Sequence, residues 1–68
     1  MERIILITLK LAMIKKNITQ RDVGMRALIP ESKFSAIING RVPISSNERK
    51  ALCQILHKED KELFKELY

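Results

Sequence analysis

Polar side chains that can donate and accept hydrogen bonds occupy two short stretches of the sequence. The first is Thr19-Gln20-Arg21-Asp22 and the second is Glu31-Ser32-Lys33-Phe34-Ser35. Cationic side chains bind phosphates, while hydroxyl, amide and carboxylate groups can hydrogen-bond to the edges of bases. The sequence offers one His, one Cys, no phosphate-binding glycine loop and no metal-ligand cluster. We therefore expect a binding protein rather than an enzyme, with no metal ion and no cofactor.

Two short helices joined by a tight turn must position these residues, and the first is expected over residues 20–27. Thr19 is a good N-cap, and Thr19-x-x-Asp22 resembles a capping box with Asp in place of the usual Glu or Gln. Val23 faces inward at helical spacing. Gly24 costs about 1 kcal/mol in a helix interior relative to Ala, and a close helix crossing at this position would explain it.

The second helix of this unit is expected over Glu31–Asn39. Pro30 suits its first turn, where a missing N–H group does no harm, and Gly40 ends it. Phe34 and Ile37 face the core, which leaves the polar residues of the helix on its open side. This is the layout of a helix-turn-helix, in which the second helix is presented to the DNA major groove.

A further helix is expected before this unit, over residues 2–16, and it carries two apolar stripes. The stripe assigned to the core comprises Ile5, Leu9, Ala12 and Met13, and the second stripe comprises Ile4, Ile7, Leu11 and Ile14. A surface helix of a small domain needs one apolar face, so either the C-terminal helix or another protein chain must cover the second stripe. The β-branched residues near the beginning also allow a strand start.

Two more helices are expected after the unit. Ser45 or Ser46 caps the fourth helix, which ends near His57, and the fifth runs from about Glu59 to Leu67. These patterns predict an all-α fold of five short helices around one core. They also predict a single domain over residues 1–68, a helix-turn-helix DNA-binding domain.

Composition narrows the class of partner and the location. The 68 residues carry a net charge of +5, and residues 1–41 hold eight basic and three acidic residues, whereas residues 42–68 hold five of each. This asymmetry favours a polyanionic partner. The single Cys53 excludes an internal disulfide. No secretory signal or run of about 20 apolar residues is found, which predicts a cytoplasmic protein that does not enter membranes.

The ordered set of motifs resembles the lambda-repressor/Cro-like helix-turn-helix proteins of bacteria and phages. The matching pieces are Ile18-Thr19-Gln20, Val23-Gly24-x-x-Ala27, the run Ile29–Ile37 with Asn39-Gly40, Arg49-x-Ala51-Leu52, and Lys61-Glu62-Leu63-Phe64. The resemblance therefore covers residues 9 to 64. It implies a compact five-helix domain whose second and third helices form the DNA-reading unit.

The resemblance also implies a role for particular residues. Positions that meet base edges are occupied by Glu31, Ser32, Lys33, Ser35 and Ala36. Positions that contact phosphates or the sugar-phosphate backbone are occupied by Gln20, Arg21, Lys33, Asn39 and Arg41. Ile4, Ile7, Leu11 and Ile14 form a possible dimer face.

The chain departs from the family pattern at three positions. Leu28 stands where the turn usually has glycine, and a left-handed leucine is costly, so the turn is open to a different construction. Glu31 replaces a usual Gln and is repelled by phosphates, although it can accept from cytosine. Ala36 can offer only apolar contact. These departures leave the preferred DNA sequence open.

Two functions remain in view. The first is a sequence-specific transcriptional regulator, a repressor of phage or mobile-element type, that binds double-stranded DNA as a homodimer and needs no small-molecule effector. The alternative is a protein-interaction module, such as an antitoxin or an inhibitor of another regulator, that binds a partner protein through the apolar face of the first helix.

Overall fold

The computed structural model describes residues 4–68, and within this range the chain forms helices and no strands. The all-α prediction with five α-helices is confirmed. The helices are α1 (Ile7–Lys15), α2 (Gln20–Arg26), α3 (Glu31–Ile38), α4 (Ser46–Leu56) and α5 (Asp60–Leu63), followed by a 3₁₀ helix at Lys65–Leu67. The helical positions expected for residues 2 and 3 lie outside the described residues.

The beginning of α1 differs from its prediction, because residues 4–6 are not helical. The Leu6 N–H donates to the carbonyl of Ile38 at 2.9 Å, which fixes this segment along the end of α3. The successive side chains of this non-helical segment face different ways. Leu6 is therefore buried, whereas Ile5 is 46% exposed, and the assignment of Ile5 to the core is wrong.

One core receives side chains from all five α-helices. Its most deeply buried members include both phenylalanines, Phe34 and Phe64, and no polar or charged side chain of residues 4–68 is buried. The buried set is Leu6, Leu9, Ala12, Met13, Val23, Ile29, Phe34, Ile37, Ile38, Leu52, Leu56, Leu63 and Phe64. Because every helix contributes to this set, the helices hold one another in place.

The second stripe of α1 stays outside this core. Ile7, Leu11 and Ile14 are 53%, 50% and 65% exposed, and Ile4 is 50% exposed. The C-terminal helices do pack against α1, but on the side of its buried face. Of the two ways of covering the stripe, burial by the C-terminal helix is therefore wrong.

Each of the helices α1–α4 ends in the same way, at a residue with left-handed backbone geometry. These residues are Asn17 (φ 55°), Leu28 (φ 59°), Gly40 (φ 75°) and His57 (φ 53°). After α2, for example, the N–H of Leu28 donates to Met25 and the N–H of Ile29 donates to Gly24, which is the Schellman pattern. Leu28 thus adopts the conformation that glycine favours, and the turn, which the sequence left open, is built in the usual way.

The helix beginnings match the sequence signals only in part. The Thr19 hydroxyl accepts from the N–H of Asp22 at 3.1 Å. Ser45, rather than Ser46, caps α4 in a complete capping box with Glu48. Pro30 lies at the N-cap of α3 and not in its first turn, since its ψ of 142° is extended. Extended geometry at this position turns the chain from α2 into α3.

The C-terminal segment is fastened to both α1 and α4. The Glu66 carboxylate accepts hydrogen bonds from the N–H of Thr8 at 2.9 Å and from its hydroxyl at 2.7 Å. Arg49 of α4 forms a bidentate pair with Asp60, and the Tyr68 hydroxyl donates to the same carboxylate. The fifth predicted helix is interrupted at Phe64, whose φ of −118° is not helical. This interruption lets Glu66 reach α1.

Candidate nucleic-acid interface

The relative position of α2 and α3 is set at Gly24. A Cβ atom at this position would lie 3.1 Å from the Ile29 carbonyl oxygen and 3.4 Å from a ring carbon of Phe34. The Ile29 N–H donates to the Gly24 carbonyl at 2.8 Å. The absence of a side chain thus allows α2 to contact the connecting turn and α3 directly. The close crossing expected from the sequence is present.

The helix α3 has a buried side and a polar side. Phe34, Ile37 and Ile38 are buried in the core, so the opposite side of the helix faces outward. Five residues were predicted to read bases. Glu31, Ser32 and Lys33 are exposed, whereas Ser35 and Ala36 are half-buried. The open part of α3 is therefore its first turn, which is where a recognition helix meets base edges.

Ala36 is less accessible than its position on the helix suggests. After α3 the chain folds back, and the N–H groups of Arg41 and Val42 both donate to the Ala36 carbonyl, at 2.8 and 3.4 Å. The loop that follows the helix thus covers part of this residue. Of the five residues predicted to read bases, those of the first turn of α3 are therefore the more accessible ones.

The residues expected to bind phosphates stand at helix ends. Gln20 is the first residue of α2 and is half-buried, while Arg21 and Arg41 are exposed. The Asn39 side-chain N–H group donates to the carbonyl of Ser35 at 2.9 Å. That hydrogen bond closes the end of α3, so the amide nitrogen of Asn39 has a structural role in the free protein.

Lys33 has a partner that the sequence did not reveal. Its ammonium group lies 3.1 Å from the Glu48 carboxylate of α4, and Glu48 also accepts from the Ser45 N–H at 2.8 Å. The hydrogen bond from Ser45 lowers the pKa of Glu48, and Lys33 lowers it further, although partial burial opposes them. Glu48 is therefore an anion at neutral pH that pairs with Lys33. The capping signal placed Glu48 correctly on α4, but a pair across 15 positions has no local signature.

The amino end of α3 carries no side-chain cap among the described residues, because Pro30 precedes it. The N–H groups of a helix's first turn have no partner within the helix, and they carry partial positive charge. Such groups bind phosphate oxygens or base acceptors well. The exposed Ser32 hydroxyl and the Lys33 ammonium group lie in this same turn.

Exposed cations are plentiful in the part of the chain that contains this turn. Among residues 4–41, all seven basic side chains are exposed: Lys10, Lys15, Lys16, Arg21, Arg26, Lys33 and Arg41. Arg3, the eighth basic residue of the first 41, lies outside the described residues. Only Asp22 and Glu31 oppose these charges within residues 4–41. A surface of this composition attracts polyanions.

Metal-ligating and thiol side chains elsewhere in the described residues are placed as follows. Within residues 4–68 no three His, Cys, Asp or Glu side chains come together where they could hold a metal ion. Cys53 is half-buried against the core, and burial raises the pKa of its thiol, which keeps it protonated and poorly nucleophilic. None of the helices in this part of the chain has the length and apolar character to cross a bilayer.

Comparisons with protein-family models, with curated proteins and with solved structures find no match to this chain.

Proposed function

We propose that the protein is a sequence-specific DNA-binding regulator, a repressor of phage or mobile-element type, built on a lambda-repressor-like helix-turn-helix. In this proposal α2 and α3 are the two helices of the unit, and the first turn of α3 enters the major groove. Gln20, Arg21 and Arg41 bind phosphates beside it. No metal ion or cofactor takes part.

The observation that carries this proposal is the two-sided character of α3. Its back is anchored by Phe34 and Ile37 against α2 and the core, while Glu31, Ser32 and Lys33 project from an uncapped helix start. A helix that reads the major groove requires a rigidly packed apolar face and an exposed polar face. The concentration of exposed cations in residues 4–41 supplies the phosphate attraction.

A single unit of this size buries limited DNA surface. Useful specificity would come from two copies bound to half-sites about 34–36 Å apart. We therefore propose a homodimer on DNA. The proposal includes no ligand-sensing element. The fraction of DNA sites that are bound would therefore depend on the concentration of the protein or on a protein partner.

The test begins by selecting tight-binding duplexes from a random DNA pool. Fluorescence anisotropy then compares a selected with an unselected duplex across a salt series. We expect preference for the selected duplex, with log affinity falling linearly in log salt. Replacing Glu31→Ala and Ser32→Ala together should reduce the preference at least about tenfold, because a good base contact is worth roughly 1–3 kcal/mol.

A matched control removes the same two residue types elsewhere on the surface. Ser46→Ala with Glu59→Ala changes exposed positions on α4 and before α5, and it should leave the preference unchanged. Equal behaviour of the two double variants on the selected duplex would show that the first turn of α3 does not read bases.

A second function is compatible with the first and is favoured by one observation. The exposed stripe of α1 provides an apolar surface that takes no part in the proposed DNA contacts. This surface suits a protein-interaction module, such as an antitoxin or an inhibitor of another regulator. The two functions can reside in one chain because they use different helices.

A further inference from the structure

Exposed large hydrophobic side chains of the described residues are concentrated in residues 4–14, at and just before α1. We call Ile7, Leu11 and Ile14 the α1 stripe, since their spacing of four and three residues places them in one row along the helix. Residues 4–14 contain five of the eight large hydrophobic side chains that are exposed in residues 4–68. Scattered exposed aliphatic residues are ordinary, but a contiguous group marks an interaction surface.

The charged residues that α1 itself contributes are all positive. Helical geometry places Lys10 on one flank of the row and Lys15 on the other. Residues 7–16 contain these two lysines and Lys16, and they contain no Asp or Glu. A partner that covers the stripe must therefore meet lysines on both of its edges.

A groove adjoins the stripe between α1 and the C-terminal segment. Leu11, Ala12 and Leu63 provide its apolar part, and Lys15, Lys58 and Lys65 stand around it. Glu62 also borders the groove, but its carboxylate lies 3.9 Å from the Lys58 ammonium group. The groove is therefore apolar inside and net positive at its rim.

These charges argue against a second copy of the chain as the occupant. Two α1 stripes that packed together would bring lysines of one copy beside lysines of the other, whether the helices ran parallel or antiparallel. Like charges across an interface weaken association. The headgroups of an anionic membrane could pair with the lysines. A planar membrane surface would leave the groove unfilled, however, and a stripe of three residues gives little apolar area for membrane binding.

We propose that the α1 stripe and its adjoining groove bind an amphipathic helix of another protein, with a leucine- or isoleucine-rich face and Asp or Glu on both flanks. The apolar face would cover the stripe and insert a side chain into the groove. The acidic flanks would pair with Lys10 on one side and with Lys15 and Lys65 on the other. This inference rests on the protein-interaction function and is independent of DNA binding.

The experiment uses two synthetic helical peptides with the same leucine spacing, one flanked by Glu and the other by Lys. Fluorescence anisotropy of labelled peptides should show saturable binding of the Glu-flanked peptide and at least about tenfold weaker binding of the Lys-flanked one, since the rim would repel it. Amide shifts in NMR spectra of the protein should move at Ile7, Leu11, Ile14 and Lys65.

Two variants separate the apolar from the charged contribution. Ile7→Ser with Ile14→Ser should abolish binding of both peptides, because the apolar contact is lost. Lys10→Glu with Lys15→Glu should reverse the preference toward the Lys-flanked peptide. All four substituted side chains are exposed, so circular dichroism spectra of both variants should stay at their wild-type form. Affinity for a selected DNA duplex should stay at its wild-type value in Ile7→Ser/Ile14→Ser, which changes no charge.

Other outcomes would overturn the inference. The α1 stripe would not be the binding site if the Glu-flanked peptide failed to bind. The same conclusion would follow if it bound both double variants as tightly as the wild-type protein. Sedimentation of a dimer that Ile7→Ser/Ile14→Ser converts to a monomer would make a second copy the occupant. A membrane would be the occupant if the protein bound vesicles containing phosphatidylserine but not the peptide, and if Ile7→Ser/Ile14→Ser abolished the vesicle binding. Absence of DNA binding alone would contradict the regulator proposal and leave this one standing.

Discussion

At the scale of the residue, Glu48 combines two contacts that act on different helices. Its carboxylate completes the capping box of α4 through Ser45 and pairs with Lys33 of α3. Lys33 is thus held beside an anion in the free protein, although its side chain is half exposed. Binding of Lys33 to a phosphate would require loss or sharing of this ion pair, so Glu48 opposes the proposed DNA contact.

Replacing Glu48→Gln should therefore strengthen DNA binding. The amide oxygen can still accept from Ser45, while the charge that holds Lys33 is removed. We expect severalfold tighter binding at low salt, and a log-affinity slope against log salt that is steeper by up to about one phosphate contact. The midpoint of thermal unfolding should fall only slightly, because partly exposed ion pairs contribute about 0–1 kcal/mol.

The matched control for this prediction is Glu62→Gln. Glu62 is an exposed acid that pairs with Lys58 on the C-terminal side of the molecule, so its replacement makes the same change in net charge. It should raise DNA affinity less than Glu48→Gln does. Equal increases would mean that overall charge, and not the release of Lys33, sets the effect.

Glu66 is a second residue whose contacts cross the molecule, and its ionisation affects stability. Partial burial raises the pKa of its carboxyl group, but the hydrogen bonds from the Thr8 hydroxyl and N–H outweigh burial and lower it below the ordinary value of 4.5. The stabilising contribution is therefore complete above that value. It is lost as the pH falls through the lower pKa of the folded state.

We expect the free energy of unfolding to decrease on acidification below pH 4.5, and part of this decrease should be missing in Glu66→Gln. At neutral pH the variant should be less stable by about 1.5–3 kcal/mol, the range for hydrogen bonds to a charged group. Urea titrations at several pH values measure both effects. The control is Glu59→Gln, which makes the same change at an exposed position whose side chain caps no helix, and it should keep the wild-type stability at neutral pH. The same slope in Glu66→Gln as in the wild type would assign the acid sensitivity to other groups, such as Glu48 and Asp60, whose pKa values are also lowered.

At the scale of the element, the ends of the helices illustrate how strongly local geometry prevails over residue preference. Asn17, Leu28 and His57 all adopt the left-handed conformation, and Gly40 is the one glycine among the four helix ends. Asn and His tolerate this region comparatively well, whereas Leu does not. The turn after α2 is therefore the helix end where residue type and conformation disagree most.

Leu28→Gly should stabilise the protein for this reason. The Leu28 side chain is 90% exposed, so its removal loses little packing. Relief of left-handed strain, offset by the greater freedom of glycine in the unfolded chain, should raise the free energy of unfolding by about 0.5–1 kcal/mol. Asn17→Gly, at another left-handed helix end, should gain less. A loss of stability in Leu28→Gly would show that the leucine makes contacts that matter to the fold.

The elements that the sequence predicted best are those with local signals at both ends. α2, α3 and α4 begin and end within about one residue of expectation, because caps and breakers stand beside them. The start of α1 was predicted too early, since residues 4–6 are not helical and Leu6 is held instead by a hydrogen bond to Ile38, far along the chain. The fifth helix was predicted as continuous, and nothing local in its sequence indicated the interruption at Phe64.

The candidate site shows the same division. Exposure of Glu31, Ser32 and Lys33 followed from helical periodicity once Phe34 and Ile37 were assigned to the core. Helical periodicity could not predict that the loop after α3 partly covers Ala36, because periodicity describes the helix and not the chain that folds over it. The role of α3 in DNA binding stays a prediction.

At the scale of the whole molecule, the two proposed binding surfaces draw on different helices. The DNA-facing residues belong to α2, α3 and the loop after α3, whereas the α1 stripe and its groove involve α1 and the C-terminal segment. The buried faces of α1 and α3 pack into one core, and this core supports both surfaces. Occupation of one surface therefore leaves the residues of the other available.

The hydrogen bonds between Thr8 and Glu66 also constrain when α1 can fold during synthesis. No side chain of the first turn caps α1, and the only carboxylate on its N–H groups in the described residues comes from 58 positions further along. The helix α1 thus receives its cap, and core partners such as Leu63 and Phe64, only from residues far along the chain. Contacts between distant positions form late and slow the search for the native state. A ribosome must therefore release the chain as far as Glu66 before α1 can be secured, so α1 reaches its final packing only after the residues that cap it have been translated.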